Sequence, residues 1–275
     1  MQSDGGRFGL VNSLRIAVMA VVLFLVSIVL IPLQLLALRF DWRLRRRLPR
    51  TWHRIALYCL GIRVHAHGAL DPRRPLMIAA NHASWKDIVV LGSLADVVFI
   101  AKTEVSSWPV FGTLARLQKT IFVVREEKRR TGDQVNEIAG RMADGEVVVL
   151  FPEGTTSDGN RVLSVKSSLF GAAAAALPKD AEDAVVHVQP VAIAYTRVQG
   201  MPMGRYYRPI AGWPGDIGLV PHLLGVLRAG ALDVDVTFGE TADFRPGDNR
   251  KSLAEKVESR LRGMLLAHLR GRHRP

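Results

Sequence analysis

The chain has 275 residues, enough for one large or two modest domains, and 48% hydrophobic with 23% charged residues is the composition of a globular protein. Thirty-seven Lys and Arg against twenty-five Asp and Glu leave +12, a surface that seeks polyanions, either nucleic acid or an anionic membrane face. The single cysteine, Cys59, excludes an intrachain disulfide and a cysteine-based zinc cluster, and its apolar neighbours read as those of a buried thiol.

The first element decides between the two polyanions. Residues 16–38 are twenty-three in a row without a charge, and a spanning helix needs roughly 20. A cleaved signal peptide would have a shorter apolar run, about 7–15 residues, and a small-residue end. Here the run meets Arg39, Arg43, Arg45, Arg46, Arg47, Arg50 and Arg54, with only Arg7 and Arg15 before it. The stretch predicts a membrane anchor, and the arginine bias predicts the remainder on the cytoplasmic face of the inner membrane. The basic belt then faces anionic lipid, and nucleic acid is not expected. Pro32 leaves open one kinked span or two shorter helices in one leaflet.

Beyond the belt, Val- and Ile-rich runs predict strands over 75–80, 97–101, 120–125, 146–151, 186–195 and 231–238. Amphipathic patterns predict helices over 84–94, 109–118, 127–143, 165–177, 217–229 and 249–270. Such alternation specifies an α/β fold, a β-sheet flanked by helices behind the N-terminal membrane-associated segment. The expected division is 1–50 for anchor and basic belt, 51–245 for the main domain and 246–275 for a C-terminal helical tail, a charged amphipathic helix that forms a solvated cap on the domain. Residues 198–216 form a long irregular segment carrying Met201, Met203, Tyr206, Tyr207 and Trp213, which predicts a packed or membrane-facing loop.

Two polar clusters stand where strands end. After the strand at 75–80 come Asn81 and His82, and then Ser84 and Asp87 in the S-x-x-D pattern of a capping box. On one continuous helix, residues five apart point about 140° away from each other. Across a strand-to-helix turn they can meet, so that Asp87 takes the imidazole Nδ1–H and leaves Nε2 as a base. A cap and a satisfied turn histidine explain the same spacing without chemistry. The second cluster, Pro152-Glu153-Gly154-Thr155-Thr156, follows the strand at 146–151; it suits a polar ligand, and equally an ordinary turn.

The order of blocks is more specific than either cluster. N-H-x4-D, a strand ending in Arg125, F-P-E-G-T, and Val188-Gln189-Pro190-Val191 follow one another behind a membrane segment. In this the chain resembles the glycerolipid acyltransferases typified by bacterial 1-acylglycerol-3-phosphate acyltransferase, from about residue 50 to 240, including Lys102, Gly112, Trp213, Asp216 and the closing VTFGE. The resemblance implies His82 as general base toward the acceptor hydroxyl and Asp87 as its partner. It implies acyl-coenzyme A or acyl carrier protein as donor, a lyso-lipid as acceptor, and no cofactor, metal or acyl-enzyme. Arg125, Glu153, Gly154 and Thr155 would bind the acceptor head group, with Lys102 and Lys166 as weaker candidates.

The family's usual E-G-T-R departs here to Thr156, which cannot grip a phosphate as an arginine fork does. Arg161 is the nearby compensating candidate. The first expectation for the acceptor is 1-acyl-sn-glycerol-3-phosphate, giving phosphatidic acid. The alternative is lyso-ornithine lipid, whose head group has no phosphate. A non-enzymic basic membrane-anchored protein is the reading from another class, and thiol release that depends on lyso-lipid separates it from the enzyme.

Overall fold

A computed structural model describes residues 5–123, 131–177, 183–214 and 217–271. Helix α1 (Gly5–Arg39) is continuous through Pro32, and α2 (Leu44–Leu60) follows after a short elbow. Then come β1 (Ile62–His67), β2 (Leu76–Ala80), α3 (Lys86–Leu94), β3 (Val97–Lys102), α4 (Phe111–Leu117), β4 (Ile121–Val123), α5 (Thr131–Ala143) and β5 (Val147–Leu150). The chain closes with α6 (Gly171–Ala175), β6 (Val186–Val198), β7 (Met201–Pro202), α7 (Leu219–Ala229), β8 (Leu232–Phe238), β9 (Ala242–Phe244) and α8 (Arg250–Leu269).

The strands form one mixed sheet in the order β1-β8-β6-β2-β5-β3-β4, with β7 and β9 also pairing with β6. β2 lies parallel between β5 and β6, and β8 runs antiparallel to β6. Residues of β2 are buried on both faces, which is why LMIAA shows no alternation. On one face Ile78, Val149 and Val234 pack with Leu57 of α2, Leu91 of α3 and Val226 of α7. On the other Met77, Val148 and Val188 pack with Met142 of α5, Ala173 of α6 and Leu261 of α8. Each fully buried branched side chain contributes roughly 1.5–3 kcal/mol.

All six expected strands are present within two or three residues, though β4 is described only to Val123, and Val124 to Arg130 lie outside the described residues. Arg125 falls there, as does Asp216 in the later gap. Four elements escaped the pattern. The basic belt is itself the first half of α2, so the boundary expected at residue 50 falls inside a helix that buries Leu48, His53, Ala56 and Leu57. β1 pairs with β8, and β7 and β9 are short additions to β6. The stretch 165–177 gives only a 3-10 turn and the five-residue α6. The C-terminal helix forms where it was expected, as α8, but it is more than a solvated cap on the domain: Leu253, Val257, Leu261 and Leu265 are buried against the sheet as part of the core. The irregular segment begins as an extension of β6 to Val198 and packs inward at Met203, Arg208 and Ala211.

α1 is long and apolar enough to cross a membrane. Yet both ends of its apolar stretch touch the same domain. Near one end Arg15 donates to the Leu227 carbonyl at the end of α7; near the other Gln34 Nε2 donates to the carbonyls of Leu117 (2.9 Å) and Arg45 (3.1 Å). These anchors are about 28 Å apart along the helix axis. Between them Trp52 donates to Ser27. The helix lies along the domain, and its outer stripe, with Val18, Val21, Phe24, Leu25 and Ile28, is exposed.

Candidate active site

β2 delivers Asn81 and His82 to its carboxyl end, the edge at which open α/β sheets hold their ligands. Asn81 fixes the exit: its amide exchanges two hydrogen bonds with the backbone of Ile193, at 2.7 and 3.0 Å. The chain then turns into α3, and Asp87 in the first turn reaches back. Its Oδ2 accepts from the backbone N–H of Ala83 (2.7 Å) and Ser84 (2.8 Å) and from His82 Nδ1 (2.9 Å). A carboxylate only accepts, so Nδ1 carries a proton, and in the neutral ring Nε2 is then the basic nitrogen. Among the described residues Nε2 has no hydrogen-bond partner, and the His82 side chain is partly exposed while Asp87 is fully buried. The ring stacks on Phe151 with centroids 4.0 Å apart. The capping box is half made: Asp87 caps the Ser84 N–H, while the Ser84 hydroxyl accepts from Lys86 Nζ at 2.8 Å.

Glu153 is tied to the same turn. It is 2% exposed; Oε1 accepts from the His82 N–H at 2.8 Å and Oε2 from the Leu163 N–H at 2.7 Å. Burial raises its pKa to about 7 against these two hydrogen bonds. The Ser157 N–H returns a bond to the His82 carbonyl at 2.8 Å, so the two polar clusters hold each other. Gly154 lies between them at φ 73°, where a Cβ would stand 3.1 Å from Lys166 Nζ, and glycine serves both needs.

The other expected residues divide. Thr155, Arg161 and Lys166 are exposed beside the Glu153 turn, and Lys102 is exposed at the end of β3. Thr156 turns its hydroxyl to the Trp213 carbonyl at 2.5 Å, while the Trp213 N–H reaches the Ala83 carbonyl at 2.6 Å. The 208–213 segment is thereby strapped to both clusters.

Two groups behind the histidine were not anticipated. Tyr195, fully buried on β6, donates to Asp87 Oδ1 at 2.9 Å, and its alternation from Ile193 is the one signal that pointed there. Lys86, also fully buried, bonds the Ala211 carbonyl at 2.6 Å and lies 5.1 Å from the centre of the Tyr195 ring. Desolvation lowers its pKa to about 7, against the pull of Asp87. Chemically, the arrangement is a held imidazole with one basic nitrogen toward solvent, backed by a carboxylate that is itself fully bonded.

A family model described as Acyltransferase matches residues 61–194. The chain is 62% identical over 96% of its length to a lyso-ornithine lipid O-acyltransferase of Rhizobium meliloti, covering 90% of that protein, and 50% identical over 97% to one of Brucella abortus, covering 99%. It is 31% identical over 72% of its length to a 1-acyl-sn-glycerol-3-phosphate acyltransferase of Neisseria gonorrhoeae, of which it covers 73%. The crystal structure of the 1-acyl-sn-glycerophosphate acyltransferase of Thermotoga maritima shares the fold, with TM-score 0.61 at 22% identity over 96% of this chain and all of that one. The matched region begins at the end of α2, takes in both polar clusters and runs along β6 to the residue before Tyr195, and by these likenesses the chain belongs to the glycerolipid acyltransferase family.

Proposed function

We propose that the chain moves a fatty acyl group from a thioester, acyl-coenzyme A or acyl carrier protein, to the free hydroxyl of lyso-ornithine lipid. The observation that carries the chemistry is the His82–Asp87 pair with Nε2 open. Nε2 takes the hydroxyl proton while the oxygen attacks the thioester carbonyl; the carbon–sulfur bond breaks, and the proton passes from His82 to the departing thiolate. Asp87 keeps the imidazole in this tautomer and stabilises its cationic form. Glu153 sets the His82 backbone, which is a positioning role in place of the head-group contact first expected. Thr155, Arg161 and Lys166 form the exposed rim available to the acceptor, with Lys102 as a more peripheral candidate.

The acceptor is supported by the names of the 62% and 50% identical relatives, and by Thr156, whose hydroxyl is engaged by the strap. Lysophosphatidic acid is the second reading, favoured by the 31% identical Neisseria relative. A membrane site for a lipid acceptor agrees with the exposed stripe of α1. We place that helix in the plane of one leaflet, with residues 51–245 on the cytoplasmic face and the arginines of α2 toward anionic lipid. The test is a panel of both lyso-lipids with thiol release and product mass measured together. Acylated lyso-ornithine lipid is expected; turnover of lysophosphatidic acid alone would reverse the assignment, and no lipid-dependent thiol release would remove the enzyme reading.

A further inference from the structure

At the opposite end of the sheet from His82, by the amino ends of β3 and β5, a cleft of about 180 Å³ opens between α2, Arg74, Asp96 and Glu146. It shares Gln34, Pro49, Leu117 and Gln118 with an apolar slot of about 50 Å³ between α1, α2 and α4, lined by Leu30, Ile31, Leu48, Trp52 and Leu114. The polar part continues past Lys119 to Arg141.

Two observations mark this place as built for something. The first is a pair of buried acceptors without partners among the described residues, Gln34 Oε1 and His53 Nδ1. Both residues line the slot and are 4% and 5% exposed. Gln34 spends its amide N–H groups on two carbonyls, and His53 Nε2 bonds Gln118 Oε1 at 2.9 Å. Burial lowers the His53 pKa to about 4, so the ring is neutral and Nδ1 is an acceptor. A buried acceptor left unmet costs about 1–3 kcal/mol, which a hydroxyl or ordered water would recover.

The second observation is charge. Six cations and four carboxylates line the cleft and its continuation. Asp41 pairs with Arg45, and Glu146 with Arg141 and Lys119; among the described residues this leaves Arg46, Arg50 and Arg74 without an acidic salt-bridge partner and Asp96 and Asp144 without a basic one, so the unpaired charge is still net positive. Lys119 has its pKa lowered by desolvation, with Arg45, Arg141 and Arg46 crowding it in the same direction and Glu146 opposing. Beside the cleft, the elbow exposes Phe40 and Trp42, stacked with ring centroids 5.6 Å apart, a pair suited to a membrane interface.

We propose that this cleft and slot bind one anionic phospholipid, at a site separate from the acyl-transfer centre. Its phosphate lies between Arg46 and Lys119, a head-group hydroxyl meets Gln34, which lines both cleft and slot, and the first part of an acyl chain enters the slot past His53. The charge specifies an anion and the apolar slot specifies an amphiphile, so a lipid satisfies both where a free phosphate satisfies one. Bound there, it fastens α1, α2 and α4 together at the membrane surface. The site depends on membrane association alone and would stand if the acyl-transfer reading failed.

Native mass spectrometry of the full chain in detergent tests this, with dioleoyl-phosphatidylglycerol, dioleoyl-phosphatidylcholine and inorganic phosphate as separate probes. One phosphatidylglycerol should be retained at least fivefold over phosphatidylcholine. Arg46→Ala combined with Lys119→Ala should lower that retention about tenfold, and Leu114→Trp, filling the slot, should lower it without changing charge. Lipid-dependent thiol release in detergent should persist in Arg46→Ala, whose side chain is exposed and far from His82. Equal retention of the two lipids, or wild-type retention by the double variant, overturns the proposal. So does full displacement of phosphatidylglycerol by inorganic phosphate, which would leave an anion site with no lipid part.

Discussion

Tyr195 and His82 hold opposite oxygens of one carboxylate: the phenol donates to Asp87 Oδ1 at 2.9 Å and the imidazole to Oδ2 at 2.9 Å. With two backbone N–H groups also on Oδ2, Asp87 is held from three sides in a site without exposure. The imidazole therefore meets a fixed acceptor, and its orientation is set before any substrate arrives.

Removing the base and loosening its support should differ in size. His82→Ala is expected to lower kcat by about 10²–10⁴-fold, the usual contribution of general base catalysis. Tyr195→Phe keeps the ring in the core and deletes one hydrogen bond to a charged group, worth about 1.5–3 kcal/mol. Only part of that reaches the transition state, so a loss of about tenfold in kcat with KM nearly constant is expected. Steady-state thiol release on purified, folded variants checks both; a His82→Ala enzyme with a tenth of normal activity would exclude His82 as the base.

Glu153 and Lys86 give stability an unusual pH profile. The folded pKa of Glu153, about 7, lies above its ordinary 4.5, so its protonated form favours folding. That contribution is full below pH 4.5 and is lost as pH rises to 7. Lys86 falls from 10.5 to about 7, so its contribution is full above pH 10.5 and is lost as pH falls to 7. Each limb has a slope of at most about 1.4 kcal/mol per pH unit. Urea unfolding from pH 5 to 10 should show Glu153→Gln flattening the acid limb and Lys86→Met the alkaline one. Unchanged slopes in both variants would refute these shifts.

The sheet was legible because its central strands are unbroken Val and Ile runs buried on both sides, as in VVVL of β5. The His82–Asp87 pairing was legible too, since a strand end followed by a helix start brings residues five apart together. β1 was not, because IRVHAH alternates with histidines that find their partners far along the chain, His65 on Asp233 and His67 on Asp235. α2 was masked by its charge: seven of its seventeen residues are Arg, Pro or His, and the basic run drew the reading away from Leu48, Trp52, Ala56 and Cys59, which recur at helical spacing. Glu153 shows the limit most plainly. A turn motif announces a polar side chain, but whether it faces ligand or backbone depends on Leu163, ten residues on.

The lie of α1 is open to direct measurement. A spanning helix puts residues 9 and 41 on opposite sides of the membrane, whereas contacts of Arg15 with Leu227 and of Gln34 with Leu117 keep both on one. With Cys59 replaced by Ala, Gly9→Cys and Asp41→Cys should both react with an impermeant maleimide added to the cytoplasmic side. Phe24→Cys, 65% exposed on the outer stripe, should be shielded. Reaction of Gly9→Cys from the periplasmic side alone would make α1 a span.

Thr156 is the residue on which acceptor choice can be tested most directly. Its hydroxyl holds the Trp213 carbonyl, and Trp213 in turn holds Ala83 beside the dyad. Thr156→Val keeps the shape and removes the hydrogen bond, so a loss of about 0.5–1.5 kcal/mol in strap stability is expected. If the strap bounds the acceptor site, that loss should appear as a KM for lyso-ornithine lipid raised several-fold, with kcat little changed. Thr156→Arg does more: it breaks the same bond and adds a guanidinium able to fork a phosphate. It should raise turnover of lysophosphatidic acid while harming the lyso-ornithine reaction. Arg161→Ala completes the set, because Arg161 is exposed five residues beyond Thr156 and its guanidinium is a candidate to meet a phosphate in the unaltered chain. A large loss confined to lysophosphatidic acid would give Arg161 that role. Strong turnover of lysophosphatidic acid by the unaltered chain, with none of lyso-ornithine lipid, would overturn the acceptor assignment whatever the variants did.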